Sequence, residues 1–176
     1  MDPSFPHDAR SLFFDPLNPP RGSMPEGAIV WNRISKGEVD KCLSPVCYAE
    51  NPVKSAIIHQ GGLGNNYFVN ALRAIACDPR TARRIIVSEE FAKSGVYTFK
   101  FWKCGRWRYV HVDDCIPSRQ SGRVHYCRNS DPNETYAMLV EKVSVESSLP
   151  TVLVSSLPNI LYVHILTGLC KIARLL

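Results

Sequence analysis

Three observations predict an α+β fold. A glycine-rich loop at 60–64 feeds a segment in which Phe68, Val69, Leu72, Ile75 and Ala76 recur at helical spacing. From Gly95 the period changes to two: Tyr97, Phe99 and Phe101 alternate with Val96, Thr98, Lys100 and Trp102. A second helical face then follows at Tyr136, Leu139, Val140 and Val143.

Composition agrees with one globular domain. The chain has 176 residues, enough to bury a real core. Apolar residues make up 45% and charged residues 21%, which excludes wholesale disorder, collagen and coiled coil. Thirteen prolines against ten glycines point to many loops, not a helical bundle. The net charge of +5 is too small to argue for nucleic acid. None of the seven cysteines forms a Cys-x-x-Cys, the closest pair being Cys42 and Cys47, so a four-ligand zinc site is not expected. Free thiols in a reducing compartment are. The opening Met-Asp-Pro-Ser-Phe-Pro lacks the basic and apolar regions of a secretory signal, so an intracellular, cytoplasmic location is the expectation.

Along the chain, residues 1–28 read as a loosely ordered arm rich in Pro, Ser, Asp and Gly, with Phe5, Leu12, Phe13 and Phe14 able to dock. Trp31-Asn32-Arg33-Ile34 opens the ordered region, 29–146, and Pro45 and Pro52 punctuate an irregular stretch. The helix after the glycine loop is expected to run about 12 residues, with Asn65 or Asn66 near its N-cap and Asp78-Pro79 as its stop. A second helix is expected over roughly 80–93. An antiparallel hairpin turns at Gly105 and returns through Trp107, Tyr109, His111 and Asp113, with Pro117 as its end. Arg123 to Cys127 reads as a third strand, and Asp131-Pro132-Asn133-Glu134 as the start of the last helix. Residues 147–176 form a divergent apolar segment. Its uncharged run, 147–170, reaches membrane-spanning length and is followed by Lys171 and Arg174, although Ser155, Ser156, Pro158, Asn159, His164 and Thr167 dilute it.

A glycine loop ahead of a buried helix cradles phosphate, turns around a dinucleotide, or holds a nucleophile. The phosphate loop needs G-x-x-x-x-G-K-S/T, and no lysine follows here. The dinucleotide turn needs a parallel βαβ unit, whereas a hairpin follows. The remaining use places a thiolate at the helix N-terminus, where the dipole stabilises it, with a preceding Gln donating to an oxyanion.

Gln60-Gly61-Gly62-Leu63-Gly64-Asn65-Asn66-Tyr67-Phe68 resembles the Q-G-x-L-G-D-C-W-F signature of the calpain cysteine proteases. Gly95-Val96-Tyr97-Thr98-Phe99 and Gly105-Arg106-Trp107 resemble the family's G-x-Y-x-F and G-x-W. Val110-His111-Val112-Asp113-Asp114-Cys115-Ile116-Pro117 resembles V-x-V-D-D-x-x-P, Asn133-Glu134-Thr135-Tyr136 resembles N-E-F-W, and Leu139-Val140-Glu141-Lys142 resembles L-L-E-K. With Trp31-Asn32-Arg33 matching W-x-R, the segments keep order and spacing from about 31 to 143. The resemblance implies the first half of a papain-like protease core, calcium-dependent peptide hydrolysis and an intracellular setting.

The departures bear on activity. By the resemblance, Gln60 keeps the oxyanion position and Asn66 occupies the nucleophile position; an amide has no thiol to ionise. Tyr67 stands for Trp, and Asn65 for Asp. Other cysteines are poor substitutes: Cys77 falls roughly 16 Å along the helix, and Cys104 and Cys115 sit on the hairpin or its end. Papain-like enzymes place His and Asn about 130 to 150 residues downstream, but 110 residues follow Asn66, so that half of the site is expected to be missing. His164, the only late histidine, has no nearby acid to orient it. The resemblance also implies a calcium site with Glu134 as one ligand. The matching upstream carboxylate is Ile57, so calcium binding is expected to be weak.

Arg80, Arg83, Arg84, Arg106, Arg108, Arg119, Arg123 and Arg128 read as solvated faces without a nucleic-acid motif, and Asp113 and Asp114 as a structural turn. His59 and His111 have no matched ligand set. The leading expectation is a calpain-like homologue without peptidase activity that binds a protein partner or substrate. The alternatives are a calcium-dependent endopeptidase completed by a partner chain and a scaffold tethered to a membrane through 151–170.

Overall fold

The computed structural model describes residues 6–8, 11, 12, 17, 28–39, 41–49, 51–103 and 106–146. Its elements run β1 (Ile29–Arg33), α1 (Pro52–Ser55), β2 (Ile58–His59), α2 (Asn66–Ala76), α3 (Pro79–Ile85), β3 (Ile86–Ser88), β4 (Val96–Lys103), β5 (Arg106–Asp113), β6 (Cys115–Arg119), β7 (Arg128–Asn129) and α4 (Tyr136–Glu146). The class is α+β, with three small antiparallel sheets: β1–β6, β2–β7 and β3–β4–β5.

The hairpin forms as its alternation dictates. Tyr97, Phe99 and Phe101 of β4 turn into the core at 3%, 0% and 2% exposure. On the other face Trp102 stands opposite Trp107, their rings edge to face with centroids 5.5 Å apart. Lys100 and Arg84 lie over the Trp107 ring, so the cations beside this aromatic serve the hairpin. The turn at Gly105 lies outside the described residues.

Four local expectations need correction. The helix predicted for 80–93 stops at Ile85, because Ile86 is extended and Ile86–Ser88 pairs with β4. Consecutive β-branched residues at 85–87 favour that strand. Pro117 does not end the hairpin region: it lies inside β6 opposite Trp31, where a two-stranded sheet leaves an outer edge that needs no N–H. Residues 123–127 are not a strand. Val124 makes a lone bridge to Ser118, and the Cys127 amide donates to a Glu141 carboxylate oxygen in place of a ladder partner. Helix α4 begins at Tyr136, not at 131–134. Asn133 is diverted to hold the 43–46 loop: its side-chain oxygen accepts from the Leu43 and Ser44 amides, and its carbonyl accepts from Val46.

The N-terminal arm packs where it is described. Leu12 is buried, and the His7 ring stacks on Trp31 at 4.9 Å. Phe5, Phe13 and Phe14 lie outside the described residues, as do 147–176 and the apolar run 151–170 within them. Among the described residues, no helix is long and apolar enough to cross a membrane.

Helix α4 is the centre of the core. Every residue from Tyr136 to Val143 is buried, so the helix has no solvent face there, yet it carries Glu141 and Lys142 at 0% and 1% exposure. A buried ammonium needs an acceptor for each of its three protons. Lys142 Nζ donates to the Asp113 carboxylate, the Asp113 carbonyl at 3.1 Å and the Cys115 carbonyl at 2.9 Å. Burial alone would push the Asp113 carboxyl up. The Lys142 hydrogen bond and charge, the Cys115 amide and His7 outweigh it and hold the group below its ordinary value of 3.8.

Replacing Lys142 by Met should cost about 3 to 5 kcal/mol, since it strands a carboxylate in the core. Because the folded Asp113 value is depressed, its contribution is present above 3.8 and is lost as pH falls through the lower folded value. Urea unfolding between neutral pH and about pH 3 should therefore show the gap between wild type and Lys142→Met narrowing on acidification. A gap independent of pH would mean that the ion pair is not the source of the stability.

Candidate functional site

The loop at 60–66 is held from both ends. Gln60 directly follows β2, which pairs with β7 through Ile58–Asn129 and His59–Arg128. Arg73 of α2 secures the same strand by donating its Nε to the Ile58 carbonyl at 3.0 Å. Gly61 and Gly62 are required by close approach. A Cβ on Gly61 would strike the backbone of His125 and Tyr126, and one on Gly62 would strike the His125 ring. The Gly62 amide donates to the His125 carbonyl at 2.7 Å, which fixes the loop against the 124–127 segment.

Asn65 is the N-cap of α2, as its place in the sequence predicts, but its side chain does not cap. Its Nδ2 donates to Glu141 Oε1 at 2.6 Å, while Glu141 Oε2 accepts from the Cys127 amide at 2.5 Å. Burial pushes the Glu141 carboxyl up, against the pull of these donors. Tyr67 packs half-buried against the core, and burial with nearby Glu141 raises its phenol above the ordinary range.

Asn66 is the first residue of α2 and is exposed; among the described residues its side chain makes no hydrogen bond. The helix end presents free backbone N–H groups there, an environment that favours negative charge. An amide offers it none. Cys77 stands at the opposite end of the same helix, exposed and free. Cys104 and His164 lie outside the described residues.

Gln60 lines a pocket of about 190 Å³ with Gly61, Gly62, Arg119, Arg123, Val124, His125 and Arg128. Asn66 is not among its lining residues. His125 is 6% exposed, and its Nε2 has no hydrogen-bond partner among the described residues. Burial and the Arg119 charge lower its pKa below the ordinary 6.5, which favours the neutral imidazole. Neither His125 nor Glu141 was legible as part of this site, because both reach it from segments more than 60 residues beyond Gln60.

Glu134 is placed elsewhere. It is 1% exposed, and its Oε1 accepts from Ser55 Oγ at 2.6 Å and the Ala49 amide at 3.1 Å; Oε2 has no hydrogen-bond partner among the described residues. Ile57 is half exposed and brings only hydrocarbon. Calcium seeks six to eight oxygens, and this pair of positions supplies one uncommitted carboxylate oxygen. The residues present do not fit the two-carboxylate site that the resemblance implies.

One grouping was not anticipated. His7, Asp113 and Cys115 offer ligand atoms that all lie within 4.8 Å of one another. The Lys142 ammonium already contacts this carboxylate, so the cluster carries its own cation, which opposes a metal ion. As a thiol–imidazole pair it is equally unsuited to nucleophilic attack. Burial and the Asp113 charge push the Cys115 thiol up, and burial keeps His7 low. Asp114 is structural as well: fully buried, it accepts from Arg33 Nη1 at 2.8 Å and the Ser35 amide at 2.6 Å.

Comparison with known proteins gives a consistent picture. The family described as calpain family cysteine protease matches residues 1–147. The chain is 32% identical over 142 residues to the maize calpain-type cysteine protease DEK1, covering 80% of this chain and 6% of that protein. It is 33% identical over 144 residues to human calpain-12, covering 80% of this chain and 19% of that protein. It is 30% identical over 149 residues to calpain-5 of Caenorhabditis elegans, covering 81% and 21%. The chain thus spans less than a quarter of the length of these relatives.

The two glycines make separable predictions. Gly62→Ala meets only the His125 side chain, so its cost of about 1 to 3 kcal/mol should largely disappear in a His125→Ala background. Gly61→Ala meets backbone and should not be rescued. Denaturant midpoints of the two glycine variants, of His125→Ala and of the two double variants test this, and equal rescue of both would contradict the loop geometry.

Proposed function

Because the chain belongs to the calpain family of cysteine proteases, we propose that it is a non-hydrolysing member that binds a protein partner or substrate instead of cutting it. The observation that carries this reading is Asn66, an exposed amide at the first position of α2, where the family signature holds its thiol. Thioester chemistry needs a nucleophile that ionises and a base within hydrogen-bond reach of it. Asn66 ionises at no accessible pH, and no histidine hydrogen-bonds to it among the described residues. The surrounding loop keeps Gln60 and the tight approach of Gly61 and Gly62 to 125–126, which supports retained recognition without bond cleavage. The grouped Cys115 and His7 supply no replacement, since their environments favour neutral thiol and neutral imidazole.

Calcium control is a property of the family that this reading does not carry over. With a hydrocarbon at Ile57 and one of the two Glu134 oxygens committed to Ser55 and Ala49, millimolar calcium should shift the melting temperature by less than about 1 °C. A larger shift, absent with magnesium, would restore a calcium site.

Incubation of the chain with casein, with and without calcium, should give no cleavage; calcium-dependent cleavage would overturn the proposal. A second variant reports on the helix end itself. In Asn66→Cys, the new thiol should alkylate with iodoacetamide at least about tenfold faster than Cys77. The two thiols occupy opposite ends of one helix, and the free backbone N–H groups at its N-terminal end stabilise a thiolate at position 66. Equal rates would show that position 66 lacks a nucleophile's environment and would remove the basis of the proposal.

A further inference from the structure

The pocket beside Gln60 has a lining of one sign. Arg119, Arg123 and Arg128 all line it, and no Asp or Glu does. The backbone brings them together. A tight turn after β6, closed by hydrogen bonds from the Arg119 amide to the Arg123 carbonyl at 2.9 Å and from the Gly122 amide to the Arg119 carbonyl at 2.8 Å, puts Arg119 and Arg123 at one rim. Pairing of β7 with β2 brings Arg128 beside His59, one residue before Gln60. Among the described residues, no carboxylate forms an ion pair with any of the three. Three uncompensated cations around a concavity concentrate positive potential and repel one another unless an anion enters. At the wall, His125 is buried with an unpartnered ring nitrogen, a polar atom of the kind that folded proteins normally satisfy.

We infer that this pocket is an anion subsite that receives a carboxylate side chain from an acidic peptide segment. Its volume of about 190 Å³ is below the roughly 300 Å³ at which cofactor and drug-sized pockets begin, so it suits one side chain and not a nucleotide. Guanidinium forks meet carboxylates in paired hydrogen bonds. The Gln60 side chain, which makes no hydrogen bond among the described residues, adds an amide that can meet a peptide main chain. Nucleic acid is disfavoured because no Phe, Tyr or Trp lines the pocket to offer a base a stacking platform. The inference rests on the binding role proposed above and specifies the chemistry of the bound segment.

Fluorescence anisotropy tests it with a labelled peptide rich in glutamate, a matched peptide with glutamine at those positions, inorganic phosphate as competitor and single-stranded RNA as a separate ligand. The glutamate peptide should bind and the glutamine peptide should not. Arg119→Ala or Arg123→Ala should each weaken binding on the order of tenfold. Arg108→Ala removes the same charge from the exposed face of β5 and should leave binding unchanged. Melting curves would establish that all three variants are folded. Equal loss with Arg108→Ala would reduce the effect to general surface charge and overturn the subsite. Binding of phosphate or RNA without the peptide would overturn the assignment to a carboxylate segment, as would failure of the peptide to bind. The two proposals fail separately: a peptide bound and then cut defeats the non-hydrolysing reading alone, whereas a peptide neither bound nor cut defeats the subsite alone.

Discussion

Two adjacent opposite charges inside a helix without a solvent face set the terms for this fold. Successive helical residues point in different directions, so Glu141 and Lys142 of α4 cannot neutralise one another side by side and each must find partners in a different part of the chain. Glu141 takes the Asn65 amide and the Cys127 backbone; Lys142 takes the Asp113 carboxylate and two carbonyls at the β5–β6 corner. The glycine loop, the 124–127 segment and the end of the hairpin are thus tied to one helix by groups that are costly to leave unpaired.

That arrangement separates the residues of the 60–66 loop that hold the fold from those that do not. The Asn66 side chain is exposed and makes no hydrogen bond among the described residues, so the packing of the loop does not call on it. Its neighbour Asn65 is different, since it supplies a donor to a buried carboxylate. The same logic applies to Glu134, whose Oε1 anchors the 49–55 stretch and thereby gives the residue a structural reason to remain.

Much of the fold was legible in local pattern. The hairpin from 96 to 113, the buried face of α2 and the apolar face of α4 follow from periods of two and 3.6. What escaped were features decided by distant partners. The segment 80–93 carries helix formers, yet β4 claims Ile86–Ser88 for a sheet. Asn133 and Glu134 look like a helix start, and the 43–49 loop recruits them. The resemblance located Gln60, Asn66 and Glu134 in the sequence, but only three-dimensional packing reveals that Gln60 shares a pocket with three arginines and His125, while Glu134 lies apart from it. The cluster of His7, Asp113 and Cys115 joins residues separated by more than 100 positions, beyond the reach of any spacing argument.

The three sheets share no strand, and the ladder nearest the glycine loop, β2 with β7, is two residues long. Backbone hydrogen bonds reach the loop from β6 through one residue of the 124–127 segment: the His125 amide donates to the Pro117 carbonyl and its carbonyl accepts from the Gly62 amide. Side chains add to this link: Asn129 donates to the Ser55 carbonyl at 3.0 Å and accepts from the Ala137 amide at 3.1 Å, which ties β7 to α1 and α4. Local opening of that short ladder needs few bonds to break, which sets amide exchange around Gln60 apart from that of the long hairpin.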